Sequence, residues 1–146
     1  MGSPAFREFD ADQVTINISG IPINSGYADG EFVRIEKTRE AFTVYEGTDG
    51  EITRSKTNSK LYNIKIRLGQ SSLGNSLLSA LFNTDQAGVN GAGVGAILIQ
   101  DRQGTTLFSG SRAWISKPPD TSFDRESKER EWEIQAILDV VVWGNN

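Results

Sequence analysis

Chemistry would be sought first in Asp124–Glu133, which reads DRESKEREWE. In an extended chain Glu129, Glu131 and Glu133 share one face, with Arg130, Trp132 and Ile134 on the other. Two of those carboxylates could serve a glycosidase as acid and base. The aromatic nearest to them, Trp132, falls on the opposite face. Three like charges along one strand face call for cross-strand neutralisation, and Lys65 and Arg67 are the available cations. A neutralised, solvated face and a deliberately acidic surface are the two other readings of this segment.

The remaining motifs fail on spacing. Asp10 and Asp12 resemble the start of a calcium loop, but Gln13 and Val14 break the alternation of oxygen ligands and no glutamate closes it. Gly91, Gly93 and Gly95 resemble a phosphate-binding run, yet the predicted helix precedes them and a strand follows. The helix N-terminus that would hold a phosphate is therefore absent from its place. Asn17-Ile18-Ser19 is a glycosylation sequon in letters only. The chain has no cysteine and no histidine. That removes thiolate and imidazole metal sites, disulfides, cysteine nucleophiles and the serine triad. No metal, cofactor or catalytic residue is assigned, and the chain reads as a non-enzyme.

At 146 residues the chain has the length of one domain. Its 19 acidic and 15 basic side chains leave a net charge of -4, the wrong sign for gripping nucleic-acid phosphates. The longest apolar runs, Ala96–Ile99 and Val140–Trp143, fall far short of a membrane helix. The polar start of the chain lacks a signal-peptide core, so the expected location is the host cytoplasm.

Positioning comes from short alternating runs. Val14, Ile16 and Ile18 alternate with polar residues, as do Tyr62, Ile64, Ile66 and Leu68. Phe32–Glu36 and Ala41–Tyr45 lie within hairpin distance of each other. Ala96–Ile99 and Thr105–Phe108 form a second predicted hairpin, followed by a separate strand, Ala113–Ser116, halted by Pro118-Pro119. One long strand is predicted from Trp132 to Trp143, with Trp132, Ile134, Ala136, Leu138, Val140 and Val142 inward. A single helix over 72–85 is capped by Ser71 or Ser72 and turns Leu73, Leu77, Leu78, Leu81 and Phe82 to one side. Glu46–Lys60 is a polar stretch with a turn at Asp49-Gly50. It reads either as a plain surface loop or as an extended arm for a neighbouring subunit. The expected fold is mainly β: a β-sandwich or small β-barrel of seven or eight strands, with one α-helix inserted mid-chain.

Several blocks resemble the tail-tube proteins of contractile-tailed bacteriophages, whose fold is related to the type VI secretion tube protein. They are Phe9–Val14, Ala28–Val33, Gly47–Ser55, Asn90–Gly95, Asp101–Thr106, Ala113–Asp120 and Ser122–Glu126, in order along nearly the whole chain. The resemblance implies a single tail-tube domain over 1–146, forming stacked hexameric rings in a virion tail assembled in the bacterial cytoplasm. It implies an N-terminal contact segment over 1–12, with Phe6, Phe9, Asp10 and Asp12. It also makes 46–60 an arm whose contact residues are Thr48, Asp49, Gly50, Glu51, Ile52, Arg54 and Lys56. Glu129, Glu131, Glu133 and Asp139 become lumen-lining candidates. Implied partners are further copies of the chain, the sheath, a baseplate initiator, a terminator, the tape measure protein and then DNA passing without tight binding, with no membrane. The alternatives are a tube subunit of a secretion or injection system and a small ligand-binding β-barrel.

Overall fold

The computed structural model describes residues 10–23, 26–123, 125–126 and 128–144. A 3-10 turn (Ala11–Gln13) leads into β1 (Val14–Ile18), followed by β2 (Ile21–Ile23), β3 (Val33–Lys37), β4 (Phe42–Glu46), β5 (Ile52–Lys56) and β6 (Leu61–Gly69). Then come helix α1 (Leu73–Ala87), β7 (Gly95–Asp101), β8 (Leu107–Lys117), β9 (Glu129–Ile137) and β10 (Val140–Val142). An eight-stranded antiparallel sheet runs β2-β1-β7-β8-β9-β6-β3, with β10 also on β8, while β4 and β5 pair apart from it. The fold is mainly β and sandwich-like, its sheet unclosed.

Alternation builds the core. Tyr62, Ile64, Ile66 and Leu68 of β6 are buried, and β9 sets Trp132, Ile134 and Ala136 beside them. Ile16, Ile18, Ile97, Ile99, Phe108 and Ile115 complete the apolar layer from the other half of the sheet. Tyr27 draws the sheet's two edge regions together. It bridges Leu68 of β6, and its hydroxyl donates to the Ile23 carbonyl of β2 at 2.6 Å. Ser72 caps α1 by accepting from the Gly74 N–H at 3.2 Å. Leu78 of α1 is fully buried, with Leu81 and Phe82 packed against the core. Asn75 fixes the helix to the sheet, accepting from the Trp132 indole N–H at 2.9 Å and donating to the Gly69 carbonyl at 2.8 Å.

Among the described residues ten strands replace the seven or eight expected, for identifiable reasons. β4 does not return on β3. It pairs with β5, inside the stretch read as a polar loop, from Phe42 opposite Lys56 to Glu46 opposite Ile52. β3 instead pairs with β6, where its inward residues meet the core. The expected Thr105–Phe108 and Ala113–Ser116 strands are one strand, because Gly110 is not a turn. A Cβ there would lie 2.1 Å from the Ile137 carbonyl oxygen, so this glycine admits a close-passing backbone. The long last strand is interrupted at Leu138-Asp139, where the Leu138 N–H donates to Lys60 O at 3.0 Å and the Asp139 N–H to Ser109 O at 2.8 Å. Beyond that point Val141 packs against the core, while Val140 and Val142, expected inward, are exposed. Leu73, expected on the helix's apolar stripe, is 72% exposed at the first turn.

Candidate assembly surfaces

The first surface is the β4–β5 hairpin. All ten of its strand residues are exposed, including Val44 at 68%, Tyr45 at 71% and Ile52 at 66%. Its turn is locally determined. Gly47 N–H donates to Glu51 O at 2.8 Å and Gly50 N–H to Gly47 O at 3.0 Å, while Asp49 Oδ1 accepts from the Glu51 N–H at 3.1 Å. Gly50 takes φ +86°, the left-handed region that glycine enters without steric cost. Strand alternation sets Phe42, Val44, Glu46, Ile52, Arg54 and Lys56 on one face. The Arg54 guanidinium stacks 4.2 Å from the Phe42 ring centre. The base is anchored, with Thr57 N–H on Ala41 O at 2.8 Å and Lys37 Nζ on Ser59 O at 2.7 Å. Thr48, Asp49, Gly50, Glu51, Ile52, Arg54 and Lys56 therefore share one projecting ribbon. Phe6 and Phe9 lie outside the described residues. Asp10 opens the turn before β1, its carbonyl accepting from Gln13 N–H at 2.9 Å, and the Asp12 backbone lies within that turn.

The second surface is the outer face of β3, β6, β9 and the end of β8. Registers place Lys65 between Arg34 and Glu133, Arg67 opposite Glu131 and Lys117 opposite Glu133. Ion pairs run diagonally: Arg67 with Glu129, and Lys65 Nζ with Glu131 Oε1 at 4.0 Å. Arg34 pairs with Glu36 along its own strand. The neutralisation expected from Lys65 and Arg67 is present for two of the three glutamates. Such exposed pairs contribute about 0–1 kcal/mol each. Glu133 has no ion pair among the described residues, and with Glu129, Glu131 and Asp120 it lines a polar notch beside Lys117. Asp139 stands apart from this group. It lies six residues past Glu133, roughly 20 Å at strand rise, and its Oδ2 accepts from the Ser111 N–H at 3.2 Å.

A buried acid escaped the sequence reading. Asp101 ends β7 and is 4% exposed. It continues the inward parity of Ile97 and Ile99, which the sequence hides because Ala96–Ile99 is apolar on both faces. Among the described residues no group of three acidic side chains is placed to hold a metal ion, and no described helix is long and apolar enough to cross a membrane.

A domain with a solvated polar sheet face and an ordered, wholly exposed ribbon has the form of an assembly unit. Residues 6–142 match the family model described as Bacteriophage PhiTE tail tube protein. The chain belongs to this tail tube family. It is 29% identical over 140 residues to Structural protein ORF10 of Pseudomonas phage KPP10, covering 92% of this chain and 81% of that protein. Solved structures share the fold. The tube-terminating cap of the anti-feeding prophage superposes with TM-score 0.59 at 12% identity, over 93% of this chain and 91% of its own. The sheath–tube complex of the PVC extracellular contractile injection system, in its extended state, gives 0.61 at 18% identity, over 92% and 90%. The sheath/tube terminator of that system gives 0.63 at 18% identity, over 98% and 100%. This tail tube chain is thus a phage structural protein with the architecture of contractile-machine tube components.

Proposed function

We propose that the chain is the repeating subunit of a contractile phage tail tube, stacked as hexameric rings around a channel that passes DNA. The exposed β4–β5 hairpin carries this reading. A two-stranded ribbon is marginal in water, and one showing Val44, Tyr45 and Ile52 gains stability only against a partner. The adjacent subunit or ring is that partner. The strands β3, β6, β9 and β8 supply a contiguous four-stranded patch with an apolar inner and a polar outer face. Six such patches make about 24 strands at ~4.8 Å, tilted ~45°, hence a circumference of roughly 160 Å and a backbone diameter of about 50 Å. Side chains narrow that to roughly 40 Å, which admits duplex DNA.

In this arrangement Glu129, Glu131 and Glu133 face the lumen, Asp139 lies farther along the same wall, and Phe6 to Asp12 join the hairpin at the ring contacts. A ring of six chains at -4 each carries about -24, which repels phosphates. DNA therefore slides without the counterion release that would make it stick. The mechanism is assembly and conduction, with no bond made or broken. Sheath, baseplate initiator, terminator and tape measure protein are the partners, and the assembled virion tail is the location.

Negative-stain microscopy with light-scattering mass over a concentration series tests the reading, with tail extract added as nucleator. Rings or hollow tubes are expected. A strict monomer that tail extract also fails to recruit overturns it. Tubes of an E129K/E131K/E133K variant should retain duplex DNA that wild-type tubes release, with retention falling steeply as salt rises. Equal release by both would remove these glutamates from the lumen.

A further inference from the structure

Between β1, β7 and β8 on one side and the segment entering β3 on the other lies a pocket of about 250 Å³. That is roughly eight waters' worth of space at ~30 Å³ each, enough for one or two side chains. Its walls are mainly apolar, with Val14, Phe32, Ile35 and Phe108 among them. Two carboxylates, Glu31 and Asp101, join the lining, and among the described residues no basic side chain does. Asp101 Oδ1 accepts from the Gln103 N–H at 2.9 Å, whereas its Oδ2 is buried with no hydrogen-bond partner among the described residues. Buried carboxylate oxygens are costly to leave unpaired. A cation delivered from outside would supply the missing charge-assisted bond.

The complementary chemistry sits on the hairpin. Val44 and Ile52 share a face with Arg54 and Lys56, and neither cation is ion-paired among the described residues. The Arg54 guanidinium sits over the Phe42 ring, 4.2 Å from its centre, a contact that sheds part of its hydration. We propose that the pocket of one copy receives the hairpin of a second copy, the Arg54 guanidinium binding the Asp101 carboxylate while Ile52 and Val44 pack on the apolar wall. This rests on the tube reading and assigns its arm a receptor site.

A double-mutant cycle on assembly tests the pairing. R54Q and D101N should each raise the critical concentration for tube formation about tenfold or more, and the double variant should be no worse than either alone. D101N should melt no lower than wild type as a monomer, because it removes an unpaired buried charge. Additive effects, or no effect of R54Q, overturn the pairing while wild-type tubes still form, which leaves the tube reading standing. Coupling of D101N to deletion of residues 1–9, in place of R54Q, gives the pocket to the N-terminal segment and also overturns it. The chain has no cysteine, so an equal mixture of V44C and E31C subunits offers a second readout. Oxidised tubes should yield the mixed dimer, and T53C, on the hairpin's other face, should not. Failure of wild type to form tubes at all, even with tail extract, removes both proposals together.

Discussion

Replacing Phe42–Lys56 with a Gly-Gly link is expected to leave a folded subunit that no longer polymerises. Every strand residue removed is exposed, and the ribbon forms a sheet of its own. The melting temperature should therefore stay within about 2 °C of wild type, since exposed residues away from the core contribute little. The join is short, because Ala41 and Thr57 already face each other through the Thr57 N–H···O hydrogen bond at 2.8 Å. Assembly has the opposite dependence. The ribbon carries Phe42, Val44, Tyr45 and Ile52, the largest concentration of exposed apolar side chains on the described chain. Burying them at about 25 cal/mol per Å² is the main favourable term available to a ring-to-ring contact. Circular dichroism melting and microscopy of the same preparation separate the two effects. Tubes forming at the wild-type concentration would show that the hairpin is not a tube contact.

The hairpin also shows where sequence patterning stops. Asp49-Gly50 was legible as a turn, because the turn is set within a few residues, while the stretch around it read equally as a surface loop or an arm. That Ile52–Lys56 is a strand was not legible. Its composition is polar and its pairing partner, β4, had a second candidate in β3. Only the three-dimensional competition settles it: the inward residues of β3 reach the core beside β6, and β4 leaves with the chain that follows. Likewise, the period of two identified the inner face of β6 and β9, which holds wherever one face is buried. It could not foresee the interruption at Leu138-Asp139, because the backbone there bonds Lys60 and Ser109, partners far along the chain that alternation does not name. The glutamates of β9 were readable as one face. The diagonal pairing of Glu129 with Arg67 and of Glu131 with Lys65 depends on register, which alternation does not specify. Asp101 was legible only as the start of a turn, and both its burial and its unpaired oxygen depend on what surrounds it in space.

The helix separates pattern from packing most sharply, and the second large expected effect lies there. Leu73 and Leu78 belong to the same predicted stripe, yet Leu78 is fully buried and Leu73 is 72% exposed. The first turn of α1 explains the difference. Ser72 caps it, Gly74 is the buried residue beside the Leu68 side chain, and Asn75 turns inward to the Trp132 indole. With those contacts fixed, Leu73 projects away from the sheet. Leu78→Ala should therefore cost about 2–5 kcal/mol, combining lost transfer energy with an unfilled cavity. That lowers the melting temperature by roughly 10 °C for a chain of this size. Leu73→Ala should change stability by less than about 0.5 kcal/mol. Denaturant unfolding of both variants, under conditions that keep the protein monomeric, makes the comparison. Equal losses would mean that the stripe packs as a whole and that α1 docks differently. A large loss at Leu78 alone would fix the helix on the sheet through one central anchor, with the Asn75–Trp132 bond setting its rotation.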